Sequence, residues 1–391
     1  MKFAKETKEF FASSRNLFLQ GNLDHSEPRP NKDACLQACK DSPGCGWYSY
    51  NVETTICLEF TTCEIDSSST DFISGQVSCE VSTTTLAPTT PTTTTLPAPD
   101  TYGNMVVVAG LPGTESEMSE VYKVSGSEVT SCGSIGKNGA FAWGVVGGYL
   151  EGDQAVMVCG GPTSKACYSL PEGQETEMSE VRHFAAAVVV ENQLWISGGE
   201  EDGSAKSSIE TVSFSRRGLS GTTVDLPAPL SKHCAVLLKS KNAVMIIGGS
   251  SNAQDSDKTY FFDLSSQSFS DGPTLSSARH SHMCTAFTDG GQEKVAVVGG
   301  EGKDSVEILD VATETWTAGP SLSSNLCCGV LVQAENGAIL AGGFDGNSNV
   351  DSMQALNCDG GSCNWSGVSA KLGFPRSQGV GVLIPDTLAN C

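Results

Sequence analysis

Five apolar runs in this chain each end in a pair of glycines. They are Ala155-Val-Met-Val-Cys-Gly-Gly161, Leu194-Trp-Ile-Ser-Gly-Gly-Glu200, Ala243-Val-Met-Ile-Ile-Gly-Gly-Ser250, Lys294-Val-Ala-Val-Val-Gly-Gly-Glu301 and Ala338-Ile-Leu-Ala-Gly-Gly-Phe344. Met105-Val-Val-Val-Ala-Gly110 is a one-glycine version. Four or five apolar β-formers in a row predict a strand buried on both faces. The terminal glycines supply positive φ, or a close backbone approach that a Cβ would block. Six copies make a repeat, and a repeat decides the fold before any local signal does.

The second glycines stand at 161, 199, 249, 300 and 343, with spacings of 38, 50, 51 and 43. One unit can be followed through four strands: His282-Met-Cys-Thr-Ala-Phe287, Lys294 to Gly300, Ser305-Val-Glu-Ile-Leu-Asp310 and Thr315-Trp-Thr-Ala-Gly-Pro320. The unit before it has the same plan, starting from His233-Cys-Ala-Val-Leu-Leu238. With their glycine pairs, aromatic or aliphatic third strands and Trp316 or Trp365 in the fourth, these units resemble kelch repeats. Phe269 and Val224 stand where the middle units lack Trp. The resemblance implies a six-bladed β-propeller. Ser377-Gln-Gly-Val-Gly-Val-Leu-Ile384 is an inner strand with no second strand after it, and Met105–Gly110 is a second strand with no inner strand before it. Pairing the two would close the ring and bury both sheet edges.

Sixteen cysteines are many for a cytosolic chain of 391 residues. Cys35, Cys39, Cys45, Cys57, Cys63 and Cys79 form an even set in a short segment and read as a disulfide framework. Cys35 and Cys39 share one face of a short predicted helix ended by Pro43-Gly44, and Trp47-Tyr-Ser-Tyr50 and Cys57-Leu-Glu-Phe60 read as strands. Cys35–Cys57 and Cys39–Cys45 bridges are geometrically reasonable, but six cysteines allow about fifteen pairings and the connectivity stays open. The pattern Cys-x3-Cys-x5-Cys, an aromatic strand and then Cys-Leu resembles the apple (PAN) module over residues 15–80. That resemblance implies a small disulfide-rich α+β module that binds proteins or carbohydrates. The module's usual early cysteine is missing, which leaves Cys63 as a candidate partner for Cys79.

A Thr/Pro tract at residues 82–100 cannot bury enough apolar surface to fold and reads as a mucin-like linker. The expected division is therefore a cysteine-rich module at 1–80, a linker at 81–101 and a propeller at 102–391. The first ten residues lack the apolar core of a signal peptide. Because the cysteines imply secretion, the expectation is an extracellular protein whose true amino terminus lies upstream. No stretch reaches the length of a membrane span. A formal charge of −22 disfavours nucleic-acid partners, whose phosphates need Lys and Arg.

Recognition is expected on loops held by the rigid scaffold. The loops after the glycine pairs offer Glu200, Glu201, Asp202, Asn252, Asp255, Asp304, Asp345 and Asn347, and those entering the inner strands offer Lys232, Arg279 and Arg376. His183, His233 and His282 recur at the starts of inner strands, where a repeated residue is expected to pack between blades. Cys234, Cys284 and Cys328 are expected to be reduced core thiols, since cysteine is a good small buried residue. Alternation argues against a vicinal Cys327–Cys328 bridge. Cys358 and Cys363 flank a glycine-rich turn and should pair, and Cys159 and Cys167 flank a loop and are a candidate pair; Cys132 and Cys391 have no evident partner. Asn364-Trp-Ser366 is a glycosylation sequon.

The resulting expectation is a non-enzymatic recognition or adhesion protein for an extracellular protein or glycan, with no cofactor and no bound metal. An intracellular kelch scaffold is the alternative. A copper-radical oxidase of the galactose-oxidase kind is the remaining one, but Tyr102, Tyr122, Tyr149, Tyr168 and Tyr260 show no grouping with His and Cys ligands.

Overall fold

The computed structural model describes residues 119–125, 128–135, 143–214, 220–221, 224–389 and 391, together with backbone strands at 26–28, 47–51, 56–60, 62–65, 77–80 and 104–108. The chain divides into two compact units, Met1–Thr94 and Thr95–Cys391. In the first unit, Ile56–Phe60 lies between Ser26–Pro28 and Trp47–Asn51, and Thr62–Ile65 pairs with Val77–Glu80. This last register sets Cys63 opposite Cys79. The expected helix carrying Cys35 and Cys39, and Cys45 after it, lie outside the described residues.

The second unit is a β-propeller. Five four-stranded antiparallel sheets are each contiguous in sequence. Their inner strands are Val145–Leu150, Ala186–Val190, Cys234–Leu238, Met283–Asp289 and Val330–Ala334. A further four-stranded sheet is composite: Val380–Ile384 from the end of the chain pairs with Asn104–Val108, followed by Ser119–Ser125 and Glu128–Gly133. Val382 faces Val106 in that register. The inner strands adjoin one another in order, and Val380–Ile384 neighbours both Val330–Ala334 and Val145–Leu150, so the sheets form a closed circle.

The second strands of the five contiguous sheets are buried on both faces because each lies between two interfaces. In Ala243–Ile247 all five residues are buried. Met245 and Ile247 pack toward Val295 and Val297 of the following sheet, whereas Val244 and Ile246 join Trp195 of the preceding one. The period-two alternation thus supplies two cores from one apolar run. Ile339 and Ala341 likewise pack with Tyr122 of the composite sheet, and Val156 and Val158 with Val121 and Val382.

The glycine pairs have a specific cause. A Cβ on Gly299 would lie 2.1 Å from the carbonyl oxygen of Leu326 in the next sheet, and Gly299 has φ +63°. The second glycine donates its N–H across the same seam: Gly249 to Arg279 O at 2.9 Å, Gly300 to Leu326 O at 3.0 Å and Gly343 to Arg376 O at 2.8 Å. No side chain fits where neighbouring sheets are sewn backbone to backbone.

Outer strands are pinned by the tryptophans. Trp316 Nε1 donates to Pro273 O and Trp365 Nε1 to Pro320 O, both at 2.8 Å, so each indole is tied to the end of the preceding sheet. Phe269, in the strand position of Trp316, instead stacks near Phe262 at 4.9 Å. Val224 lies outside the strands and packs at the edge of an apolar cluster.

Among the described residues four disulfides are formed, Cys132–Cys391, Cys159–Cys167, Cys234–Cys284 and Cys358–Cys363. The second and fourth pin hairpins, as their spacing predicts. The expectation of reduced thiols at Cys234 and Cys284 is corrected. They do not occupy equivalent places: Cys234 pairs with Ile247, next to its glycine pair, and Cys284 with Val297, one residue further away. That offset puts them on opposite faces of adjacent inner strands, where they meet across the seam.

Candidate binding face of the propeller

The loops after the glycine pairs and the segments entering the inner strands emerge on one face. Backbone bridges His183–Glu200, Ser231–Ser250 and Cys327–Phe344 join the two kinds of loop. At the centre of this face lies a closed circuit of backbone hydrogen bonds. Gly144 N donates to Gln378 O (2.9 Å), Phe184 to Gly144 (3.0 Å), Lys232 to Phe184 (2.8 Å), Ser281 to Lys232 (2.9 Å), Cys328 to Ser281 (2.9 Å) and Gln378 to Cys328 (2.6 Å). All six residues have positive φ, from +54° at Ser281 to +69° at Gly144. A left-handed conformation costs a non-glycine residue roughly 1–2 kcal/mol. Here each such residue gains an N–H bond to one neighbour and a C=O bond to the other. Phe184, Lys232, Ser281, Cys328 and Gln378 carry half-buried side chains around the ring.

On one side the ring carries an aromatic and charged cluster. The Trp143 ring lies 5.3 Å from Phe184 and 5.4 Å, edge-on, from His183. Lys232 Nζ sits 5.2 Å over the Phe184 ring, within cation–π range. Glu200 faces Lys232 Nζ at 4.0 Å and His183 Nε2 at 3.4 Å, and accepts from Ser231 Oγ at 2.7 Å. Burial pushes the His183 imidazole below its ordinary pKa, against the opposing pull of Glu200. On the other side, His280 bridges the loops of two sheets, with Nδ1 2.7 Å from Asp255 and Nε2 2.7 Å from Glu301. Glu201 is held by Lys206 at 2.8 Å, and Lys206 also reaches Glu180 at 2.6 Å. Burial opposes the Lys206 charge, but these two carboxylates outweigh it and raise its pKa.

Of the expected recognition residues, Glu200, Lys232 and Asp255 therefore border the ring. Asp202 and Asn252 occupy exposed left-handed turn tips, and Asp304 and Asn347 are exposed. Asp345 accepts from the backbone N–H of Ser348 and Asn347, which lowers its pKa and shapes the loop rather than leaving it open. Arg279 and Arg376 are corrected: neither guanidinium is on this surface. Arg279 is wholly buried, donating to Gly299 O (2.8 Å), Ser305 O (3.1 Å) and Glu307 (2.7 Å). Arg376 is buried against Glu120. Arg182 repeats the arrangement with Glu210 at 2.9 Å.

His233 and His282 are wholly buried, and burial pushes both imidazoles down to about 3, so they are neutral. His233 Nε2 lies 2.9 Å from Ser197 Oγ. A Cβ on Gly198 or Gly248 would lie 2.9 Å or 2.8 Å from the Cε1 of His233 or His282. These rings fill the space that the first glycine leaves. Asn364, the sequon residue, is exposed on the outer strand Ser362–Lys371.

Trp143, Phe184, His280, Ser281 and Gln378 are absent from the expected set. Phe184, Ser281 and Gln378 share a signal of position, since a ring residue stands two places after Arg182, Leu230, Arg279, Leu326 or Arg376. Positive φ on Phe, Lys or Gln leaves no compositional trace.

Comparison with known proteins follows the same division of the chain. Residues 10–88 match the PAN domain family. Over 94 residues the chain is 34% identical to spermatocyte protein spe-26 of Caenorhabditis elegans. That stretch is 23% of this chain and 15% of that protein, so the chain spans well under two thirds of that relative's length. The solved structure of YjhT aligns with a TM-score of 0.52 at 15% identity, covering 61% of this chain and 87% of that one. At such identity the likeness shows the fold alone. The chain carries a PAN domain near its amino terminus and a β-propeller after it.

Proposed function

We propose that this is an extracellular recognition protein that binds a protein or carbohydrate through the ring face of its propeller, with the PAN domain as a second binding unit. In this reading the propeller is of kelch type and the composite sheet counts as a sixth blade. The glycine-pair seams and the Trp316 and Trp365 anchors support the kelch assignment. Four disulfides among the described residues support an oxidising compartment, and with it secretion and use of the Asn364 sequon. Two binding units on one chain would make its engagement of a partner bivalent.

The observation that carries the reading is the cluster of Trp143, Phe184, Lys232 and Glu200 on the rim of a rigid ring. A half-exposed aromatic pair offers an apolar face to a sugar ring or an aliphatic side chain. Lys232 and Glu200 add a cation and an anion that fix orientation. Glu200, Glu201, Asp255 and Glu301 on this face are each engaged by a cation, a hydroxyl or an imidazole, which suits binding better than proton transfer. The protein is therefore read as a binder, not an enzyme.

The test is binding of the full chain to a glycan array and to immobilised extracellular-matrix proteins, beside Trp143→Ala and Lys232→Ala. Each variant should bind about tenfold more weakly, a loss of about 1.4 kcal/mol. The Lys232→Ala deficit should shrink at high salt. Parent-like binding by both folded variants would place recognition elsewhere.

A further inference from the structure

We propose that Cys327 and Cys328 are a redox-active vicinal pair that closes into a disulfide at the mouth of the propeller. Their sulfurs lie 2.7 Å apart, far inside the ordinary separation of two non-bonded sulfur atoms. In a regular strand adjacent side chains point to opposite faces. Cys328 escapes that rule because it is a ring residue, with φ +64°. Its left-handed backbone swings its thiol back over that of Cys327.

Both residues are fixed by backbone bonds. Cys327 exchanges hydrogen bonds with Phe344 at 3.0 and 2.8 Å, while Cys328 donates to Ser281 and accepts from Gln378. The backbone that sets the two thiols side by side is thus fixed by the fold. The other described cysteines are all disulfide-bonded, which leaves these two as the free thiols of the described propeller.

The two sites differ in the way that thiol–disulfide exchange needs. Cys327 is buried, and its thiol is held protonated by the neighbouring Cys328 sulfur and by burial. Cys328 is partly exposed, and its pKa is lowered by the Cys327 thiol and then by the Ser281 hydroxyl, against burial. The Cys328 thiolate attacks a sulfur of oxidised glutathione and expels one glutathione thiolate, leaving a mixed disulfide. Cys327 then loses its proton, attacks Cys328 Sγ and expels the second glutathione. Two protein thiols are oxidised, one glutathione disulfide is reduced to two thiols, and the balance is closed. Consecutive Cα atoms lie about 3.8 Å apart, closer than the roughly 4.4–6.8 Å of ordinary disulfides, so the eight-membered ring should be easier to reduce than the four other bonds of the described residues.

The experiment is peptide mapping of the full chain secreted from a eukaryotic host, alkylated without reductant, with the four other disulfides as internal standards. The peptide spanning Leu326–Gly329 should carry no alkyl group and be two hydrogens lighter than the dithiol. On titration with a dithiol reductant it should open first. In the Cys328→Ser variant, Cys327 should become alkylated with no reductant present. Alkylation of both cysteines in unreduced parent protein would overturn the proposal. So would a bond from either to any other cysteine, or a persistent mixed disulfide after incubation with oxidised glutathione.

Discussion

Cys391 is bonded to Cys132 in the outer strand of the composite sheet, 259 residues earlier in the chain. The same sheet takes its inner strand, Val380–Ile384, from the carboxyl-terminal end. A short helix at Asp386–Ala389 runs between that strand and the cysteine, and Ala389 is buried in the cluster with Val121 and Ile384. The circle of sheets is therefore closed twice, by hydrogen bonds on the inside and by a covalent bond on the outside.

Opening the covalent closure should cost up to about 5 kcal/mol, the chain-entropy value for so long a loop. The Cys132→Ser/Cys391→Ser double variant should thus unfold at a lower urea concentration, with a steeper slope because its unfolded chain is less compact. Deleting residues 377–391 should do more, because two sheet edges are then exposed. A truncated protein that melts cooperatively at the parent temperature would contradict closure through the composite sheet.

The buried Arg279–Glu307 pair follows an alternation around the circle. Where the loop carries Arg182, Arg279 or Arg376, the third strand carries Glu210, Glu307 or Glu120. Where it carries Leu230 or Leu326, the residues in register are Tyr260 and Gln354. Arg279→Ala should cost about 3–5 kcal/mol by leaving the Glu307 carboxylate buried alone. Arg279→Leu/Glu307→Tyr should recover much of that loss, since a neighbouring sheet already uses this pair. A double variant no more stable than Arg279→Ala would show that the charges matter beyond filling the site.

Acid should weaken the fold well before the carboxylates titrate. His233 and His282 have folded pKa values of about 3, below the ordinary 6.5, because burial disfavours the cation. The unfolded chain takes up these protons first. Stability is therefore full above about pH 6.5 and falls as pH drops toward 3, by roughly 1.4 kcal/mol per unit per histidine. Urea midpoints between pH 7 and pH 4.5 should show this slope, and His233→Gln should remove about half of it. A flat profile across that window would contradict neutral buried imidazoles.

Cys234–Cys284 joins two adjacent inner strands. Unreduced peptide maps should show this cross-link, and Cys234→Ala/Cys284→Ala should lower stability by about 2–4 kcal/mol. Quantitative alkylation of both thiols in the unreduced secreted protein would refute the bond.

The fold was legible where the sequence repeats. Ala243–Ile247 and Lys294–Gly300 announce buried strands through period and composition, and the unmatched strands at 105–110 and 377–384 announce their own pairing. The redox state of Cys234 and Cys284 was not legible, because a one-residue offset between neighbouring inner strands decides it. The Arg279 and Arg376 loops read as exposed, since a lone arginine gives no hint of a Glu that lies 28 residues on for Arg279 and at position 120 for Arg376. The ring face was foreseen only through Glu200, Lys232 and Asp255. Phe184 and Gln378 reach it through left-handed backbone, which side-chain type does not reveal, and Trp143 stands beside the left-handed Gly144.

The proposed binding face rests on a closed ring of backbone hydrogen bonds, and amide hydrogen exchange of the full chain tests that ring directly. The amides of Gly144, Phe184, Lys232, Ser281, Cys328 and Gln378 stand outside the regular strands, yet they should exchange as slowly as those of Val244 and Val297 in the core. Exchange at the rate of the exposed tips Asp202, Asn252 and Asn347 would contradict the ring and the rigid face built on it.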